Sequence, residues 1–322
     1  MDLVFLGSSE FGVPVLRSLL HDGHHVSLVI TQPDRPKGRG RRPAPTPIKA
    51  LAVEQGLPVI APPKVNDPAV VRKILDTGAR LGVVVAFGQM IGRAIRDGLP
   101  SGCVNLHGSL LPKYRGAAPV NWAIINGETT TGVTVFRLVR EMDAGPMLIT
   151  RSTAIGDEET ADDLHWRLAR IGCDAVRETL KLFADGAEPA GEPQDQSAVS
   201  LAPKLTKADG LIRFDVSALH LARRINGLST WPGARCLFCS GDGGRREPVT
   251  LIRAVHADAD PAGDVPGPPG TIAKGWDVQA ANGHVQILEI QPAGRRIMEW
   301  DDFVNGRHVR PGDRFEALTE PR

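Results

Sequence analysis

The sequence predicts a doubly wound, mostly parallel α/β domain followed by a smaller β-barrel of the OB type, and three observations carry that prediction. In the first half of the 322 residues, short apolar runs alternate with amphipathic stretches, the pattern of strands joined by crossover helices. Val83-Val84-Val85 is a continuous apolar run of the kind a strand buried on both faces requires. Late in the chain, short strand-like runs separated by Gly and Pro turns suit a small barrel. A chain of this length exceeds one typical core and suits two.

Taken in order, residues 3–6, 25–31, 58–61, 82–86 and 103–106 read as strands. Residues 13–20, 47–55, 68–76 and 90–97 read as helices, several opened by Pro in the first turn and closed by Gly. Residues 127–137 form a hairpin strand, 146–153 its partner and 140–145 the turn; 159–185 form a long amphipathic helix. Residues 187–203 are rich in Ala, Glu, Pro, Gln and Ser without a period, and read as a linker. Beyond it, 220–227 reads as a helix and 234–239, 249–255, 270–273, 278–280 and 285–292 as strands, with 258–269 a surface loop. The expected domains are 1–188, a linker at 189–205, and 206–322.

Composition narrows the function classes. No apolar run approaches the ~20 residues that span a bilayer, so no membrane partner is expected. Leu3-Val4-Phe5-Leu6-Gly7 starts without a basic leader region, and the expected compartment is the cytoplasm. Cysteines at 103, 173, 236 and 239 are too scattered for a disulfide framework. Cys236-Leu237-Phe238-Cys239 lacks a second pair of ligands and reads as packing, so no metal is expected. A net charge of +1 means that any polyanion must be met by a local patch. Gly7-Ser8-Ser9-Glu10-Phe11-Gly12 lacks the Gly-x-Gly-x-x-Gly spacing of a dinucleotide site and reads as a tight turn into a helix. The protein is expected to be a monomer.

The chemical candidates are Asn105, His107 and Asp143. Asn105 and His107 sit where a predicted strand ends in a Gly- and Pro-containing loop, the edge where doubly wound sheets gather ligands. Two positions apart on a strand, they share a face. An Asn amide can donate to an oxyanion, and a His can move protons near neutral pH. Asp143 comes from another loop, where a carboxylate can orient an imidazole.

The surrounding string is more specific. Asn105-Leu106-His107-Gly108-Ser109-Leu110-Leu111-Pro112-Lys113-Tyr114-Arg115-Gly116-Ala117-Ala118-Pro119 resembles the signature of the 10-formyltetrahydrofolate-dependent transferases, and Glu141-Met142-Asp143-Ala144-Gly145-Pro146 resembles their second motif. The resemblance implies a formyltransferase-type Rossmann-like domain with Asn105, His107 and Asp143 as the catalytic set. It implies 10-formyltetrahydrofolate as formyl donor, bound by Ser109, Leu110, Leu111 and Pro112, with Val84, Val85, Ala86, Phe87, Gly88, Gln89 and Met90 lining the pteridine pocket.

That core also occurs in glycinamide ribonucleotide formyltransferases, formyltetrahydrofolate hydrolases and dehydrogenases, and sugar-nucleotide formyltransferases. Thr31-Gln32-Pro33-Asp34-Arg35-Pro36-Lys37-Gly38-Arg39-Gly40-Arg41-Arg42-Pro43 discriminates between them, because it resembles the loop by which methionyl-tRNA formyltransferases engage the acceptor end of initiator methionyl-tRNA. Residues 35–49 hold six basic residues and no acid, which suits phosphates. The resemblance makes Arg35, Lys37, Arg39, Arg41 and Arg42 the tRNA-binding candidates. Residues 206–322 are neutral, with 15 Lys plus Arg and 15 Asp plus Glu, yet Asn226-Gly227-Leu228-Ser229-Thr230-Trp231-Pro232-Gly233 and Leu288-Glu289-Ile290-Gln291-Pro292-Ala293-Gly294 resemble later motifs of the same enzymes. The resemblance therefore covers essentially the whole chain, its C-terminal barrel assisting tRNA binding.

Overall fold

The structure is a computed structural model that describes residues 1–37, 42–183, 186–257 and 267–318. The chain forms two compact units. The first comprises Met1–Gly116, Thr131–Thr153 and His165–Leu201, the second Ala117–Thr130, Ala154–Leu164 and Ala202–Arg322.

Along the chain run β1 (Asp2–Gly7), α1 (Gly12–His21), β2 (His25–Ile30), β3 (Arg35–Lys37), β4 (Arg42–Ala44), α2 (Pro47–Glu54), β5 (Val59–Ile60), α3 (Pro68–Leu75), β6 (Leu81–Val85), α4 (Arg93–Arg96), β7 (Cys103–His107) and β8 (Arg115–Gly116). There follow α5 (Pro119–Ile125), β9 (Thr130–Arg137), β10 (Met147–Ala154), α6 (Ala161–Leu182) and β11 (Leu201–Ala202). Seven strands make one sheet in the order β10-β9-β7-β6-β1-β2-β5. The five strands from β7 to β5 are parallel, and β9 runs antiparallel to β7. Every residue of β6 is buried, as its apolar run requires. Thr46 and Asp67 cap α2 and α3 ahead of Pro47 and Pro68, filling the helix-start positions that Pro signals.

Three of the expected elements change form, and α5 is an element the sequence reading lacks. The helix expected at 90–97 shrinks to α4, because Asn66 takes up the backbone before it: its Nδ2 donates to Met90 O at 2.8 Å and its Oδ1 accepts from Gly92 N at 2.7 Å. The stretch 187–203 pairs Glu192 with Met147 and ends in β11. The strand expected at 270–273 is reduced to the bridges Thr271–Arg314 and Ile272–Val278. Of the loop expected at 258–269, residues 258–266 lie outside the described residues.

The second unit adds α7 (Ala218–Gly227), β12 (Ala234–Cys239), β13 (Arg246–Ala257), β14 (Val278–Gln279), β15 (His284–Pro292), β16 (Met298–Glu299), α8 (Trp300–Arg307) and β17 (Arg314–Ala317). The strands pair antiparallel in the order β14-β15-β13-β12-β17, with β16 on β15. The two bridges tie β17 back toward β14 and nearly close the barrel. Phe238, Trp300, Phe303 and Phe315 fill it, with Phe238 edge-on to Phe303 at 5.2 Å. Ile125 of α5 shares this core with Leu221 and Leu228, and Asn121 Nδ2 donates to Gly227 O at 2.8 Å. Cys236 and Cys239 are buried in β12, and burial pushes the Cys236 thiol well above its ordinary value. Among the described residues, no helix is long and apolar enough to cross a membrane.

Candidate active site

Parallel register brings three strand ends to one edge of the first unit. Gly7 of β1 lies opposite Val85 of β6, and Val84 and Val85 lie opposite Asn105 and Leu106 of β7. A Cβ on Gly7 would stand 2.6 Å from Phe5 Cε1 and 3.0 Å from Val85 O, so only glycine allows this approach. Leu106 points to the α6 face, where a Cβ on Gly172 would meet its Cδ2 at 2.6 Å. Asn105, half-buried, and His107, buried, therefore share the opposite face.

The imidazole of His107 is held from one side. Its Nε2 lies 2.8 Å from Tyr114 O, and a carbonyl can only accept, so Nε2 carries the hydrogen and Nδ1 is left to exchange a proton. Nδ1 faces Asp143 Oδ2 at 3.9 Å, an ion-pair distance too long for a hydrogen bond. Asp143 has φ +53°, in the left-handed region, and its Oδ2 accepts from Gly116 N at 2.9 Å. The structure thus brings His107 and Asp143 together, with Asn105 beside them on β7.

The Ser109 to Pro112 loop is pinned by Thr134 of β9, which donates to Ser109 O at 2.8 Å and accepts from Leu111 N at 3.1 Å. Ser109 Oγ donates to Lys113 O at 2.6 Å; Leu110 is half-buried, Leu111 buried, and the Leu111–Pro112 peptide is cis. In the 84–90 segment, Val84, Val85 and Phe87 turn their side chains into the protein. Ala86 and Gly88 are exposed at φ +44° and +82°, and Met90 is 60% exposed. Gln89 is occupied, accepting from Val65 N at 2.8 Å and donating to Pro62 O at 3.1 Å. The segment therefore offers a ligand mainly backbone at Ala86 and Gly88 and the Met90 side chain.

Phe87 O accepts from Ser8 Oγ at 2.9 Å and Gln32 Nε2 at 3.3 Å, while Gln32 Oε1 accepts from Arg35 at 3.2 Å. The first base of the Arg-rich segment is thereby linked through Gln32 to the 84–90 segment. Lys37 and Arg42 face each other as a backbone pair of β3 and β4. Arg39 and Arg41 lie outside the described residues. Lys49 is engaged by Asp34 at 2.7 Å. Among the described residues, no group of three or more His, Cys, Asp or Glu could hold a metal ion.

Sequence reasoning missed Thr134 and Gln194. Thr134 is a buried polar residue in an otherwise apolar stretch of β9, a signal that was available. Gln194 Nε2 donates to Asp143 O and Gly145 O, each at 2.8 Å, and its Oε1 accepts from Arg115 Nη2 at 2.7 Å.

Comparison with known proteins gives concordant matches. A family model described as formyl transferase matches residues 1–180, and one described as formyl transferase, C-terminal domain, matches residues 204–308. The chain is 42% identical over 320 residues to a methionyl-tRNA formyltransferase of Methylococcus capsulatus, covering 98% of this chain and 99% of that protein. It is 40% identical over 317 residues to a methionyl-tRNA formyltransferase of Solibacter usitatus, covering 98% of each. Among solved structures it is similar to HypX from Aquifex aeolicus in complex with tetrahydrofolic acid, with a TM-score of 0.62 at 17% identity over 99% of this chain. The chain spans about half of HypX, 51%, and that likeness is one of fold.

Proposed function

The chain belongs to the formyl transferase family, as a methionyl-tRNA formyltransferase along its whole length, and on that footing we propose how its residues carry the reaction. The enzyme transfers the formyl group of 10-formyltetrahydrofolate to the free amine of initiator methionyl-tRNA, giving N-formylmethionyl-tRNA for translation initiation.

The transfer makes a bond from the amine nitrogen to the formyl carbon and breaks the bond from that carbon to the folate N10. A proton leaves the amine, negative charge builds on the formyl oxygen, and the departing N10 takes a proton. Asn105 donates its amide hydrogen to that oxygen. His107 takes the amine proton at Nδ1 and returns a proton toward N10, directly or through water. When the ring is doubly protonated, its charge faces the Asp143 carboxylate. The observation that carries this reading is the fixed His107 ring, Nε2 on Tyr114 O and Nδ1 toward Asp143.

Ser109 to Pro112 and the 84–90 segment hold the folate. Arg35, Lys37, Arg39, Arg41 and Arg42 meet the phosphates of the tRNA acceptor end. Residues 1–188 carry the chemistry, 189–205 connect them to the rest while Gln194 packs against the Asp143 turn, and 206–322 assist tRNA binding. The enzyme works in the cytoplasm, off the membrane and as a monomer; a tRNA substrate and four free cysteines support the compartment, and sedimentation tests the monomer.

The deciding assay offers 10-formyltetrahydrofolate with methionyl-tRNA, with a sugar-nucleotide amine, and with water alone. Formyl transfer to methionyl-tRNA alone is expected. Preferred formylation of the sugar, or folate hydrolysis as fast as transfer, overturns the assignment.

A further inference from the structure

Gln194 lies in a stretch that looks dispensable in the sequence, between exposed residues 192–193 and 195–198, yet it is 6% exposed. A lone buried polar residue in such a segment calls for partners, and Gln194 uses its whole amide. Both Nε2 hydrogens are spent, on Asp143 O and Gly145 O at 2.8 Å each. Oε1 accepts Arg115 Nε at 3.0 Å and Nη2 at 2.7 Å. Arginine can only donate and the two carbonyls can only accept, so the amide has one allowed orientation. Gln194 thus clamps the turn carrying Asp143 to the residue next to Gly116, whose N–H holds the Asp143 carboxylate.

We propose that Gln194 is a positioning residue that holds the Asp143 turn, and through it the Asp143 carboxylate, in register with His107. Asp143 sits at φ +53°, a left-handed conformation that Asp tolerates better than most non-glycine residues but still at some cost, and the clamp holds the turn in it. Gln194 itself touches no reacting atom. The inference rests on the catalytic assignment of Asp143.

Gln194→Glu tests it with little change of shape. The second oxygen puts an acceptor where two carbonyls need a donor, while Arg115 keeps its partner. In the full chain, Q194E should lower kcat about 100-fold, the scale of an ångström's misplacement of a reacting group, and leave KM for 10-formyltetrahydrofolate within about threefold. Because the effect runs through Asp143, Q194E placed on D143N should cost less than about threefold more. Amide hydrogen exchange at residues 140–146 should quicken in Q194E and in Q194A while the strands keep their protection. Wild-type kcat in Q194E, an equal loss in both backgrounds, or unchanged exchange at 140–146 overturns the proposal. Wild-type turnover in D143N removes both the Asp143 assignment and the inference. Failure of the wild-type protein to formylate methionyl-tRNA sinks the functional reading separately, and the exchange measurement still decides whether Gln194 holds the turn.

Discussion

Truncating Asn105 to Ala removes an amide donor from β7 without touching the contact between His107 Nε2 and Tyr114 O. Single-turnover formylation by N105A should therefore fall about 10²–10³-fold, as for loss of one oxyanion donor, with folate affinity nearly unchanged. D143N should also lose rate far more than folate affinity. Near-wild-type turnover in both variants would remove the assignment. At this scale the sequence exposed what lies close along the chain. Asn105 and His107 are two residues apart at a strand end, and Asp143 stands in a recognisable turn. Gln194 reaches partners 79 and 51 residues away, and bonds over such separations leave no period or motif to read.

Arg39 belongs to the element whose composition spoke most clearly, the basic segment between β3 and β4. R39A should weaken tRNA use and reduce the slope of log K against log salt by about 1, with folate binding intact. Unchanged tRNA kinetics across a salt series would make Arg39 a bystander. In the barrel, Glu247 of β13 clamps α8 by accepting Arg307 Nε at 2.8 Å and Nη2 at 2.9 Å. The Arg307 hydrogen bonds hold the Glu247 carboxyl below its ordinary value of 4.5. A lowered folded value means that the stabilisation is complete above the ordinary value and fades as pH falls through the lowered one. E247Q should cost about 1–2 kcal/mol at pH 7, and denaturant midpoints should show that gap closing in acid. Strands such as β6 were legible because burial on both faces writes a continuous apolar run. The helix expected at 90–97 shortened because one side chain, Asn66, competes for its first backbone groups. α5 escaped notice inside a string read for its chemistry.

The compact units do not follow the two family matches. α5, within residues 1–180, packs its Ile125 into the core of the second unit. A fragment ending at residue 203 would leave Ile125 of α5, with Ala118 and Trp122 beside it, without that core. Burial of one Ile side chain contributes about 1.5–3 kcal/mol, so the fragment should bind hydrophobic dyes and sediment as aggregates where the full chain does neither. A monodisperse, dye-silent fragment would show that α5 finds other cover.

The chain passes between the units five times, after residues 116, 130, 153, 164 and 201. A ribosome delivers these passages in order. α5 leaves the exit tunnel about a hundred residues before α7, its later neighbour, an interval on the order of 5–20 s at ordinary synthesis rates. For that time Ile125 lacks the core it joins in the finished protein, and the nascent enzyme exposes the kind of apolar surface for which chaperones exist.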